Sequence, residues 1–113
     1  MIPGDIVLIE MPQRDGRKKR RPALVLTLVP PFDDCLVCGI SSQIHQEVVG
    51  FDYVIRQSDR GFEATGLKSD SLIRLGFVTT VSKNKIPGII GHISVAVHQE
   101  LLERFTFFLK ESV

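Results

Sequence analysis

Tryptophan is absent from this chain and tyrosine occurs once, so the 7% aromatic share rests almost wholly on seven phenylalanines. Proteins that hold single-stranded nucleic acid without sequence preference lean on aromatic platforms, and this poverty argues against such a general binder. Charge of either sign is not in excess: 14 Lys and Arg stand against 13 Asp and Glu, a formal net charge of +1. Net charge therefore excludes neither a polyanionic partner nor a neutral one. No uninterrupted apolar run approaches the ~18 residues of a membrane span. The opening residues also lack the charged-then-apolar pattern of a secretory leader. The expectation is a cytoplasmic protein without a membrane partner.

Cysteine is scarce too. Cys35 and Cys38 have the CxxC spacing that can serve metal or redox chemistry, but Cys35-Leu36-Val37-Cys38-Gly39-Ile40 reads as a buried strand. In a strand, residues three apart point to opposite faces. No second cysteine pair completes a zinc site and no helix follows to make a thioredoxin-type motif. Both read as small core residues, and neither a metal site nor a cofactor is expected.

What is present fits one domain spanning residues 1–113, with 43% apolar residues to build its core. Ile6-Val7-Leu8-Ile9 suits a first strand, and a polar loop follows from about Gln13 to Arg21. Pro22 is expected as the first residue of a second strand running to Val29, with a third from Leu36 to Ile40. These runs are apolar on both faces, which places them centrally in a curled sheet. After Phe51-Asp52-Tyr53-Val54-Ile55, a polar loop over 57–66 has room for a helical turn. Ser71 to Val81 reads as a long strand bent or bulged at Gly76, and Ile89 to Ile93 as a short one. Val97, Leu101, Leu102, Phe105, Phe108 and Leu109 recur at helical spacing behind Ser94, a suitable N-cap. Phe107 falls off that stripe, which leaves it available for a subunit contact or merely exposed. The fold class is thus mainly β with a C-terminal α-helix that plugs one side of a small barrel.

The charges are unevenly placed. Arg14, Arg17, Lys18, Lys19, Arg20 and Arg21 fall within eight positions, with Asp15 the only acidic residue among them. Such a cluster is either an electrostatic footprint for a polyanion or a solvated loop. Arg74 stands among Leu72, Ile73 and Leu75, where a charge costs energy unless it snorkels to solvent or meets an anion. Ser41 and Ser42 close the third strand, either by bonding nearby backbone or by offering a hydroxyl to a ligand.

Taken in order, Gly4-Asp5-Ile6-Val7-Leu8, Arg21-Pro22-Ala23-Leu24-Val25-Leu26 and Ile40-Ser41-Ser42-Gln43 resemble the MazF/PemK toxin family. The stretches Thr65-Gly66-Leu67-Lys68-Ser69-Asp70-Ser71-Leu72-Ile73-Arg74-Leu75 and Ile89-Ile90-Gly91-His92-Ile93-Ser94 extend the likeness over nearly the whole chain. The resemblance implies an SH3-like barrel that pairs as a homodimer. It implies metal-independent cleavage of single-stranded RNA by 2′-hydroxyl attack on the adjacent phosphate, leaving a 2′,3′-cyclic phosphate and a 5′-hydroxyl. It further implies a cognate antitoxin whose tail covers the RNA groove.

By the same resemblance Arg21, Ser41 and Arg74 align with catalytic positions of the family. Chemically, the arginines suit a phosphoryl group gaining charge, and the hydroxyl suits donation to a phosphoryl oxygen. Lys18, Lys19, Arg20, Ser42, Gln43 and Lys68 are the expected RNA contacts, the cations setting register on phosphates. Two positions depart from the family pattern. Some members carry a carboxylate, read as general base, where this chain has Gly76; others have a first-loop His where spacing places Asp15. His45 is a substitute by proximity in sequence, while His92 and His98 read as structural. Two functions follow: an RNA endonuclease, or a non-catalytic barrel that binds RNA or a partner peptide.

Overall fold

The computed structural model describes residues 1–12 and 15–112, with side-chain surroundings for all of these except 11 and 12. Six strands, β1 (Asp5–Pro12), β2 (Lys18–Val29), β3 (Asp34–Ser41), β4 (Tyr53–Ile55), β5 (Ser71–Val81) and β6 (Gly88–His92), precede one helix, α1 (Val95–Glu111). All strand pairs are antiparallel, in the order β4-β5-β3-β2-β1-β6, and the sheet curls into a half-barrel. No helix among the described residues is long and apolar enough to cross a membrane.

The two-sided hydrophobicity of β1, β2 and β3 supplies two cores. Ile6, Leu24, Leu26, Cys38, Ile40, Ile73 and Leu75 fill the first, together with Ile93 and Leu101 from the α1 end of the chain. Val7, Ile9, Ala23, Val25, Cys35 and Val37 form the second on the opposite face, where Val81 and Ile86 pack against them. Leu26 is an extra residue in the β2–β3 ladder, which pairs Val25 with Val37 but Thr27 with Leu36. The bulge shifts the alternation, so that Leu28 rejoins the second core. Each fully buried aliphatic side chain contributes about 1.5–3 kcal/mol.

Ser94 caps α1 as expected, its Oγ accepting from the Val97 amide at 3.1 Å. Leu101 is wholly buried, and Val97, Leu102 and Phe105 pack on the first core. The stripe expected to run on through Phe108 and Leu109 does not stay covered: these are 44% and 53% exposed, although the Phe108 ring lies 4.8 Å from that of Phe51. His98 is buried against Gly4, and burial lowers its pKa from the ordinary value by disfavouring the charged ring.

The expected loop over 13–21 is shorter than its polarity suggests. Lys18 to Arg21 belong to β2 and lie opposite Pro12, Met11, Glu10 and Ile9 of β1. The side chains of Lys18 to Arg21 are exposed along this ribbon, so polarity there marks exposure and not the end of the strand. Pro22 is accordingly inside β2, opposite Leu8, and not at its start.

The half-barrel draws together where β6 meets the turn over Glu63–Thr65. Backbone approaches backbone so closely that a Cβ on Gly66 would collide with the Ile90 carbonyl, and one on Gly91 with Ala64 and Thr65. Gly66 also has φ +71°, a left-handed conformation that side chains resist. Gly66→Ala combines backbone strain with overpacking, so the expected loss is about 2–4 kcal/mol. A lowered urea midpoint at unchanged slope checks it.

The cysteines are both in cores, reduced, and on opposite faces of β3. Burial raises the Cys35 pKa and pushes that of Cys38 up to about 12, which suppresses the reactive thiolate. Iodoacetamide at about pH 8 should leave the native protein essentially unmodified and label both cysteines in guanidinium, with mass spectrometry counting the adducts.

Candidate functional site

The β2–β3 ladder ends at Ala23 opposite Gly39. Pro22 has no N–H with which to continue it. Beyond that rung the strands part company. Arg21, two residues further along β2, stays paired with Ile9 of β1, while Ser41, two residues past Gly39, pairs with Leu72 of β5. The fork leaves an open track with Arg21 and Ser41 on either side of its mouth.

Strand alternation places Arg21 with Ala23, and Ser41 with Gly39, on one face. Arg74 lies directly opposite Gly39 on β5 and shares that face. The three therefore converge, and all line one groove of about 410 Å3 together with Ser42, Gln43, Gln46 and Phe77. A second groove of about 300 Å3 shares Arg21, Ile40, Ser41 and Ser42 and continues past Leu67 and Lys68. Among the described lining residues of both grooves there is no Asp or Glu. Arg21, Arg74 and Lys68 thus set a positive potential along the track, although the whole chain is near neutral.

Each group is held differently. The Ser41 Oγ accepts from the Gln43 amide at 3.0 Å. That bond ends the strand, as the bland reading of the serine requires, and leaves the hydroxyl hydrogen free to donate into the groove. Lys68 sits on a braced loop: its carbonyl accepts from Gln57 Nε2 at 3.1 Å, and the Gln57 amide donates to Asp70 at 2.7 Å. Arg21 is exposed at the mouth.

Arg74 does not simply snorkel. It is half-buried, its Nε is enclosed without a hydrogen-bond partner, and its guanidinium lies 3.6 Å from the Phe77 ring centroid. A bulge makes this pairing possible: β5 pairs Arg74 with Gly39 and Val78 with Cys38, leaving Leu75, Gly76 and Phe77 between the rungs. The bulge expected at Gly76 is therefore present. Phe77 passes over Gly39, where its Cβ lies 3.8 Å from the point at which a side chain would begin.

Several expected residues lie apart. Lys18, Lys19 and Arg20 are exposed on the β1–β2 ribbon and line neither groove, although Lys19 shares the face of Arg21 by alternation. Arg14 lies outside the described residues. Asp15 is exposed and holds Arg17, accepting from its amide at 3.0 Å and facing its guanidinium at 3.8 Å. His45 is exposed in the turn over Ile44–Gln46 and lines neither groove. Gly76 is also outside the track, and a Cβ there would meet Phe51 at 3.6 Å. No three His, Cys, Asp or Glu side chains come together among the described residues.

Phe77 and Gln46 are groove residues that the sequence does not single out. Their signals are slight: an aromatic next to the expected bulge, and an amide one turn past the serine pair.

Compared with curated protein sequences, the chain has no significant match. A family model of PemK-like, MazF-like toxins of type II toxin–antitoxin systems does match, over residues 2–109. That span takes in every strand and nearly all of α1, including Arg21, Ser41, Lys68 and Arg74, and the chain belongs to the PemK-like, MazF-like toxin family.

Proposed function

We propose that the protein is an endoribonuclease toxin that cleaves single-stranded RNA without a metal and is neutralised in the cytoplasm by a cognate antitoxin. The observation that carries this reading is the fork between β2 and β3, where Arg21, Ser41 and Arg74 meet on one face of a track lined by cations and, among the described residues, by no carboxylate.

In this reading the RNA backbone follows the track from Lys68 past Ser41 to Arg74. The 2′-oxygen attacks the adjacent phosphorus, the bond to the 5′-oxygen breaks, and a 2′,3′-cyclic phosphate remains. Arg21 and the Nη edge of Arg74 oppose the charge gathering on the phosphoryl oxygens, and the Ser41 hydroxyl donates to one of them. Ser41 does not act as a covalent nucleophile in this scheme, since no imidazole or carboxylate among the described residues lines the groove to activate it. The 2′-hydroxyl proton leaves to water, and Lys68 is the group along the track best suited to return a proton to the 5′-oxygen. The antitoxin competes by laying an acidic segment over the same cations.

The same carboxylate-free lining, with Gly76 where some relatives have a base, favours a second reading as a barrel that binds RNA without cutting it. Kinetics separate the two. In excess EDTA, purified protein should cleave mixed-sequence RNA and spare DNA, which lacks the internal nucleophile. Arg21→Ala should slow cleavage about 100- to 1000-fold, with Ser41→Ala less damaging. Lys19→Ala should mainly weaken binding and lower its salt slope by about one phosphate contact. Tight RNA binding with no cleavage by wild type would favour the binding barrel.

We further propose a homodimer. Val48, Val49, Gly50 and Phe51 with Phe107 and Phe108 border an apolar groove of about 800 Å3, and Val49 and Phe107 are 85% and 68% exposed. Apolar area of this kind is costly to leave in water. Light scattering should give twice the chain mass at micromolar concentration, and Phe107→Glu should shift it toward the monomer.

A further inference from the structure

Among the described residues that line the track there is one aromatic ring, and the chain has few to spare. Phe77 is 57% exposed, and one side of its environment is taken by the Arg74 guanidinium at 3.6 Å from the ring centroid. A single exposed apolar side chain is ordinary on a protein surface, but this one shares a groove with Arg21, Ser41 and Arg74. Its neighbours there are Gln43 and Gln46, whose amides both donate and accept.

We propose that Phe77, backed by Arg74, is the platform on which one nucleobase of the bound RNA stacks, with Gln43 and Gln46 reading that base at its edge. The inference rests on the RNA-cleaving function proposed above and deepens it by assigning a determinant of sequence preference. Three features support it. The bulge in β5 lifts Phe77 out of the ladder, so its ring is not part of either core. The cation on one face pre-orients the ring and spends one of the two π-surfaces, leaving room for a single base. Arg21 and Ser41 line the same groove, so a nucleotide whose phosphate meets them can reach the ring with its base. Bases are available for this only in unpaired RNA, where they can leave the stack. Phe77 is a positioning and specificity residue in this scheme; it takes no part in proton transfer.

The absence of tryptophan from the chain allows a direct test. Phe77→Trp installs a single indole on the track, and Phe107→Trp installs one outside it. Each is titrated with a short mixed-sequence RNA made uncleavable by 2′-fluoro sugars, and with an abasic strand of the same length and charge. The expected result is strong quenching of Phe77→Trp by the base-containing strand, little quenching by the abasic strand, and none specific to bases in Phe107→Trp. Phe77→Ala should bind the base-containing strand about 5- to 150-fold more weakly, the range of a single base–aromatic stack, and the abasic strand with unchanged affinity. Phe77→Leu, which preserves the apolar volume, should share the loss, while Phe77→Tyr should restore binding. Equal quenching by both strands, or RNA binding without quenching, would overturn the platform. Stacking by a protein that cuts no RNA would leave the platform standing and sink the nuclease. Cleavage whose site preference is the same in wild type and Phe77→Ala would do the reverse.

Discussion

A buried carboxylate holds the bulge on which the site depends. Asp52 is 5% exposed, and its two oxygens accept from the Leu75 amide at 3.2 Å and the Val48 amide at 3.0 Å. Leu75 is the first residue of the segment that β5 carries between its paired rungs, and its amide would otherwise lack a strand partner. Hydrogen bonds to an ionised group contribute about 1.5–3 kcal/mol each, more than a neutral pair. Arg104 of α1 donates to the Asp52 carbonyl at 2.6 Å, so the same residue fastens the helix to the sheet. Without this anchor β5 has no reason to hold Phe77 out of the ladder beside Arg74.

The second constraint is the fork at Pro22. An imino acid at that point ends the β2–β3 ladder, and the parted strands, held by different partners, leave Arg21 and Ser41 facing one open groove between them. The fork and the bulge act on opposite sides of β3. Together they turn a continuous antiparallel sheet into a surface with a track, without loosening either core.

Charge follows the same logic. A chain with net charge +1 presents a groove whose described lining has cations and no carboxylates, because acidic residues are used elsewhere. Asp52 is spent on backbone amides, Asp70 on Gln57 and Arg56, and Asp15 on Arg17. The local field is set by which side chains the fold brings together, and the overall balance says little about it.

Much of the fold was legible in the residues. Apolar runs on both faces announced central strands, Ser94 announced the start of α1, and the glycine in the β5 run marked a bulge. The helix stripe misled at Phe108 and Leu109, since periodicity reports a face and not how much of it the fold covers. The basic run over 18–21 read as loop because exposed ribbon and loop share a polar composition. Arg21, Ser41, Lys68 and Arg74 could be named from residue type and order alone, since local chemistry and family pattern both reside in the chain. Their convergence could not: these groups lie on β2, the end of β3, the approach to β5 and β5 itself, and strand pairing alone sets which faces they share. The same holds for Phe77, an ordinary apolar residue by sequence. Only the bulge, pinned by a carboxylate more than twenty residues away, turns its ring toward the groove.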